Sequence, residues 1–542
     1  MSDFDLPRLD AGAHPEFVDA ASCKRWLQDL PMVNVAQSQH QLQLQLKEFN
    51  RFPVAAAKRL ATIEAVREAV HFVQIEQAKR FSNRALPMAE AEASVFDRTI
   101  ALWDEIATGY LHCVEAAAGG ETAMQSSAAL ACQRAITCLG LAMFHFHRAY
   151  REVPAQRRRR LHRAYARAEQ LKVEETGVKD YLNRDVHDTS PRIAYLRAIL
   201  MGAASPSELA QRQLTFVAFL LERWASKVDV GRAPVRDPRV PPLLVDLQGA
   251  DGAVSMSGGA AAQGSGDTRF LNVSKLAMSL RNRILLLRKG ESPARLGLGE
   301  DCVQPSCEQL LVLLYNRWCR PKPPQTEEPR LASDPLHVCS DLAAIHFNVS
   351  GGAFRPPGGA AKRELTSRER EELETFGRVV SRDADARAGE KDAQREDWVL
   401  ESLGTHELRM SRRGAGLGRR YTHGQLVGIS ASSGRGLMLG QLRWLMCTES
   451  GELQAAVKLL HGQCVAMAVR ATGLGAGSGE YVPALSLTAV HALNVPPSLI
   501  LPSGWYKPQR ILEVHIESAA QVRLTEVIER GSDFERVVYE VV

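Results

Sequence analysis

Through the first 228 positions, apolar residues return every three or four places. Ile63, Val66, Val70 and Val73 form one such stripe, Phe96, Ile100, Trp103, Ile106 and Tyr110 a second, and Ile136, Met143, Phe146 and Tyr150 a third. That period puts each set on one face of an α-helix, so the stripes predict long amphipathic helices buried along one side. The breaks between them fall at residues that end helices: Pro53, the Ser82–Asn83 step with Pro87 beyond it, Gly119–Gly120, Pro154 and Pro191. Leu42, Leu44 and Leu46 alternate as a strand would, whereas Val35, Leu42, Leu46 and Phe49 keep helical spacing. Helical neighbours on both sides decide for helix. The pattern predicts an antiparallel helical bundle over residues 1–228.

The texture then changes. Residues 229–335 read as a mixed middle region: a strand within Val240–Leu247, a Gly/Ala/Ser-rich flexible loop at 249–266, a helix over Val273–Arg288, a short apolar helix over Pro305–Cys319 and a Pro/Glu-rich linker from Pro321. Residues 336–542 read as β-rich. His337–Val349 is taken as a strand followed by a Gly/Pro loop, and Leu365–Val380 is charged with a helical pattern. From Trp398–Met410 onward, short strands separated by turn residues run to Phe534–Val541, which predicts a barrel or sandwich. The expected fold class is α+β: helical bundle, mixed middle, then an antiparallel β-barrel.

Composition narrows the function classes. A chain of 542 residues should hold two to four domains at about 150 residues each. Hydrophobic residues make up 45% and charged residues 24%, an ordinary globular balance. No apolar run approaches the ~20 residues of a membrane helix. The start, Met-Ser-Asp-Phe-Asp-Leu-Pro, does not have the basic-then-apolar order of a signal peptide. A cytoplasmic location without membrane insertion is the expectation. The ten cysteines read as small core hydrophobes of a reducing compartment, and Cys302, Cys307, Cys319 and Cys339 show no Cys-x-x-Cys spacing. A net charge of +5 is too mild for its size to call for nucleic acid.

Charged clusters supply the candidate chemistry. Arg157–Arg160 with Arg163 and Arg167 make a basic helical row, either a solvated face or a surface for RNA, acidic lipid or an acidic partner protein. Arg412, Arg413, Arg419 and Arg420 bracket Gly414-Ala-Gly-Leu-Gly418, a loop able to wrap a phosphate, or else a plain hairpin tip. There is no Gly-x-Ser-x-Gly elbow, no His-Glu-x-x-His and no Mg²⁺-binding carboxylate cluster. Neither catalytic nor metal-ligating residues are therefore assigned.

One ordered set of parts goes further. Arg378-Val-Val-Ser-Arg382 precedes the Trp398-led strand, Ser402 follows about twenty residues later, and then come Gly424-Gln-Leu-Val427 and Gly440-Gln-Leu-Arg-Trp444. Over 376–470 this order resembles a PilZ domain, a small β-barrel with an arginine pair ahead of its first strand and an Asp/Asn-x-Ser-x-x-Gly turn. Here Leu400 stands at the Asp/Asn position and Thr405 at the glycine position. Leu30-Pro-Met-Val-Asn34, Gly290–Cys302, Cys339–His346 and Arg530-Gly-Ser-Asp-Phe-Glu-Arg536 are similar to stretches of large proteobacterial proteins with a helical N-terminal region and a PilZ-like C-terminal region, some described as molecular chaperones. The resemblance implies a non-enzymatic signalling protein that binds cyclic di-GMP through Arg378, Arg382 and Ser402, with Arg412 and Arg413 as second candidates, and that relays binding to a protein partner. The competing expectation is an adaptor or scaffold whose barrel binds no nucleotide.

Overall fold

The computed structural model describes residues 4–542 apart from 236, 238, 257–265, 300–301, 304, 321–329, 332–333, 358–394, 405, 415–417, 432–435 and 473–478. The chain forms two compact units, one of residues 1–84 and 88–327, the other of 85–87 and 328–542.

The first unit begins with α1 (Ala20–Gln28), α2 (Val35–Arg51), α3 (Ala56–Ala78), α4 (Glu90–Ala118), α5 (Thr122–Gln125), α6 (Ala128–Arg148) and α7 (Ala155–Gln170). A two-stranded ribbon, β1 (Val178–Lys179) with β2 (Asp188–Thr189), leads into α8 (Pro191–Ala203) and α9 (Gln211–Trp224). The stripes read from the sequence are the buried faces: Ile63, Val66, Val70, Val73, Ile106, Tyr110 and Ile136 are fully buried. The Leu42–Leu46 segment is helical, within α2. Asp19 and Ser190 cap α1 and α8 by accepting the Ser22 and Ile193 backbone N–H groups, so the polar residue before each apolar run starts the helix. Gly109 in the middle of α4 lets α3 approach closely, since a Cβ there would sit 2.4 Å from Ile63 Cδ1. Among the described residues α6 is the one helix long and apolar enough to cross a membrane, and 72% of that stretch is buried within the protein.

The basic row on α7 is used internally. Arg157 forks onto Asp104 of α4 at 2.8 and 2.9 Å, Arg160 donates to Thr108, and Arg167 pairs with Glu115 at 3.1 Å. Its charges pin α7 against α4.

The middle region packs into the same unit. β3 (Asp229–Gly231), β4 (Leu243–Asp246), β5 (Val254–Ser255) and β6 (Thr268–Asn272) form an antiparallel sheet in the order β3-β6-β4-β5, followed by α10 (Ser274–Arg288) and α11 (Ser306–Trp318). Cys302 and Cys307 are joined in a disulfide, their Cα atoms 5.1 Å apart, where the sequence reading expected reduced thiols throughout. The other eight cysteines lie outside this disulfide, six of them buried.

The second unit holds two six-stranded antiparallel barrels. β7 (Arg330–Leu331), β8 (Pro335–Ser340) and α12 (Leu342–Ser350) precede β9 (Glu396–Leu403), β10 (Glu407–Arg412), β11 (Leu426–Ala431), β12 (Met438–Cys447) and β13 (Leu453–Leu460). The ring β8-β9-β10-β13-β12-β11 closes because β9 pairs with both β8 and β10, and β7 continues the β8 edge of β9. The second barrel closes in the order β14-β15-β16-β19-β18-β17, from β14 (Cys464–Ala471), β15 (Val482–Leu487), β16 (Ser498–Pro502), β17 (Ile511–His515), β18 (Ala519–Arg530) and β19 (Phe534–Val541).

Two sequence expectations are corrected here. Trp398–Met410 is a hairpin rather than one strand, turning where the Gly404 N–H donates to the Glu407 carbonyl. The strand from His337 stops at Ser340 instead of running to Val349, because Asp341 takes φ +69° and caps α12, its carboxylate accepting the Ala344 N–H at 2.8 Å.

The barrels share a core. Cys339, Ala344, Ile345, Leu426, Leu439 and Leu460 of the first pack with Leu485, Leu487, Ile500 and Phe534 of the second. The Arg530–Phe534 turn locks them: Asp533 accepts the Leu426 N–H at 2.9 Å, Ser532 N–H donates to the Gly424 carbonyl, and Gln441 donates to the Arg530 carbonyl. A side chain at Gly531 would meet Phe534 and the Gly424 carbonyl, within 2.5 Å of the latter.

In the first unit Asp180, 1% exposed, is gripped by Arg67 and Arg134 and accepts from Gln133. Burial pushes its carboxyl pKa up, but the two guanidinium groups outweigh this and hold it below the ordinary value. A depressed folded pKa means that this stabilisation is present above the unfolded value near ~3.9 and is lost as pH falls through the folded one. Asp180→Ala, which leaves Arg67 without its carboxylate and Arg134 with Glu64 alone, is expected to cost about 3–5 kcal/mol. Urea unfolding followed by helical circular dichroism should show this as a lowered midpoint. Asp180→Asn should lose less stability than the parent as pH falls below about 4.

Candidate ligand site on the first barrel

Because β9 and β10 are antiparallel, the start of β9 and the end of β10 meet at one end of the barrel. Leu408 faces Leu403, Arg409 faces Ser402, Met410 faces Leu400 and Ser411 faces Val399. Strand alternation turns Trp398, Leu400 and Ser402 inward, along with Leu408, Met410 and Arg412. Arg412 is therefore a barrel-interior arginine, 6% exposed.

It is held by a compact set of partners. Arg412 Nη1 donates to Glu396 Oε2 and to the Arg419 carbonyl, the latter at 3.1 Å. Its guanidinium lies 5.5 Å from the Trp398 ring centroid and 5.6 Å from that of Tyr421, within cation–π range. The Tyr421 hydroxyl donates to Glu396 Oε2 at 2.6 Å, and burial together with that carboxylate raises its pKa. Glu396 Oε1 accepts the Arg419 backbone N–H. Nε and Nη2 of Arg412 are buried with no hydrogen-bond partner among the described residues.

Gly418 packs against this plug. Gly418 adopts φ +104°, and a Cβ there would fall 2.4 Å from Glu396 Oε1 and 2.9 Å from Arg412 Nη1. Past it, Arg419 pairs with Asp341 at 2.9 Å, and Arg420 donates to the Ala85 carbonyl at 2.6 Å. Arg413 is exposed and has no acidic partner among the described residues.

The five residues singled out in the sequence fare differently. Arg412 and Arg413 sit at the plugged end. Ser402 is buried inside the barrel four strand positions from Trp398, about 13 Å along β9 at the usual rise, so the structure does not bring it to Arg412. Arg378 and Arg382 lie outside the described residues, as does Thr405. β9 begins at Glu396, on the end of the barrel that carries Arg412 and Arg413.

Sequence reasoning passed over a second arginine pair at the same spacing. Arg409 and Arg413 also form Arg-x-x-x-Arg, and Gly428-Ile-Ser430 follows seventeen residues after Arg413. Ser430 pairs with His337, which pairs in turn with Asp397 beside the plug, and its hydroxyl is buried without a partner among the described residues. Glu396 was also missed. Its signal is the acidic residue opening a strand whose partner strand ends in arginine.

Comparison with known proteins fits this architecture. A family model described as the N-terminal domain of the cyclic-di-GMP receptor FimW matches residues 21–234, and one described as the FimW C-terminal beta-barrel domain matches residues 467–542. A curated protein of Pseudomonas aeruginosa, the cyclic-di-GMP receptor FimW, is 24% identical over 532 residues, covering 90% of this chain and 84% of its own length. An alignment of that extent runs through most of the stretch between the two models, where the first barrel lies. No solved structure gives a significant match.

The plug yields a prediction. Glu396→Gln leaves Arg412 buried without its counter-charge and is expected to cost about 3–5 kcal/mol, whereas Glu396→Gln with Arg412→Leu should recover most of that loss. Thermal unfolding of the two variants beside the parent measures it.

Proposed function

We propose that this chain, which carries both terminal domains of the FimW family and belongs to it, is a cytoplasmic, non-enzymatic receptor that binds cyclic di-GMP at the arginine end of its first barrel. The observation that carries the reading is the match over 90% of the chain to a protein named as a cyclic-di-GMP receptor. The chemistry of the site agrees. Cyclic di-GMP presents two phosphodiester anions and two guanines, and a guanidinium group forks onto the first and stacks on the second. Arg413 supplies an exposed guanidinium, Arg412 two N–H groups still to be matched, and Arg378 and Arg382 precede Glu396 by 18 and 14 residues. Ser402, in the barrel interior, is not placed in this contact set.

Binding at that end would act on the segment leading into β9. A ligand that favours one arrangement of this segment by about 1–3 kcal/mol is sufficient for a switch. We assign the relay to a protein partner on the helical unit. The alternative is an adaptor whose barrel takes no nucleotide, favoured by Leu400 at the Asp/Asn position of the serine motif and by the commitment of Arg412 to Glu396.

Isothermal titration of the full chain with cyclic di-GMP, with GTP and cyclic AMP as controls, separates the two. The receptor reading expects selective, saturable binding at micromolar or tighter concentration. Arg413→Ala should weaken it by about tenfold or more, the loss of one charge-assisted contact, and Arg378→Ala with Arg382→Ala should abolish it. Absence of binding in the parent chain would establish the adaptor.

A further inference from the structure

The helical unit contains an open cavity of about 310 Å³ lined by α3, α4, α6, α8 and α9. Its body is apolar and aromatic, with Trp103, Phe144 and Phe219 among its walls. Its size is at the lower end of small-molecule sites.

Three polar side chains of its lining come from the end of α6. His145 Nδ1, His147 Nε2 and Arg148 Nε are buried and have no hydrogen-bond partner among the described residues. His145 is 4% exposed and stacks on Trp103, ring centroids 6.3 Å apart. Three unmatched polar atoms at the wall of one apolar cavity are costly unless something pairs with them.

The charges point to the sign of the missing partner. Burial pushes His145 down to about 3 and His147 down to about 4, so both rings are neutral near pH 7 and offer hydrogen bonds rather than charge. The wall's carboxylate, Glu222, is engaged by Arg197 at 3.2 Å, which in turn donates to Asn183 at 2.7 Å. Arg148 leans over the Phe144 ring at 6.0 Å and has no acidic partner among the described residues. The cavity therefore has a cation left over beside aromatic walls.

We propose that this cavity is a ligand site separate from the barrel, and that it takes an aromatic monoanion. The ring body lies among Trp103, Phe144 and Phe219, the anionic group meets Arg148, and the neutral imidazole of His145 beside it on α6 hydrogen-bonds to it. Arg184 at the rim adds to the positive field.

Two fluorescent probes of similar shape test this on the full chain: anionic 8-anilinonaphthalene-1-sulfonate and neutral N-phenyl-1-naphthylamine. The expected result is one saturable sulfonate site per chain, with the neutral probe about tenfold weaker or more. Arg148→Gln should bring the two probes to similar affinity. Ala218→Trp, which fills the cavity from α9, should abolish binding of both, with Leu141→Trp as the second filling variant if the first does not fold. Equal affinity for the two probes in the parent, non-saturating sulfonate binding, or sulfonate binding unchanged in a folded filling variant would overturn the proposal.

Discussion

Closing the first barrel requires β9 to satisfy two neighbours at once, and that requirement organises the end at which the arginines gather. β9 must enter the ring at Glu396, in register with Val338 of β8 on one side and near the end of β10 on the other. Glu396 arrives there pointing inward and so carries a carboxylate into the barrel. Arg412 answers it, and the backbone of Arg419 and the hydroxyl of Tyr421 fill its remaining valences. A buried pair of this kind adds little net stability against an apolar filling but is costly to break singly, so it fixes register more than it strengthens the fold.

The same pair decides which arginines are available to a ligand. Arg412, Arg419 and Arg420 are engaged in contacts with Glu396, Asp341 and the Ala85 carbonyl, and the left-handed backbone at Gly418 is the condition for the chain there to approach Glu396. Arg413 is exposed and has no acidic partner among the described residues. The plug thus turns an arginine cluster that looked uniform in the sequence into three residues with structural contacts and one without an acidic partner among the described residues. The second barrel supports this arrangement from the opposite side of β11, through Asp533 and the shared core around Phe534 and Ile345. That contact gives a physical reason for the Arg530–Arg536 stretch.

Much of the fold was legible because it depends on periodicity. The stripes of α3, α4 and α6, the strands after Trp398 and the Pro/Gly breaks are local signals, and tertiary packing did not override them. What stayed hidden depends on partners distant in sequence. Nothing near Pro335 announces that β8 completes a barrel whose next strand lies more than fifty residues on, and the reading of a single PilZ-like barrel missed that two closed rings share a core. Asp341 was legible in principle, as an N-cap residue before an apolar run, but its neighbours' strand pattern outweighed it. At the site, residue type pointed to arginine chemistry and to Arg412 and Arg413 by name. Register alone separates Ser402 from them and pairs Arg412 with Glu396.

The central claim is that cyclic di-GMP binds at the Glu396–Arg413 end of the first barrel, and hydrogen–deuterium exchange of the full chain with and without the nucleotide tests it most directly. The account predicts slowed exchange in peptides covering Arg378 to Leu400 and Arg412 to Tyr421, with the Ser402 hairpin turn and the second barrel little changed. Protection confined to the helical unit, or none at saturating nucleotide, would contradict it.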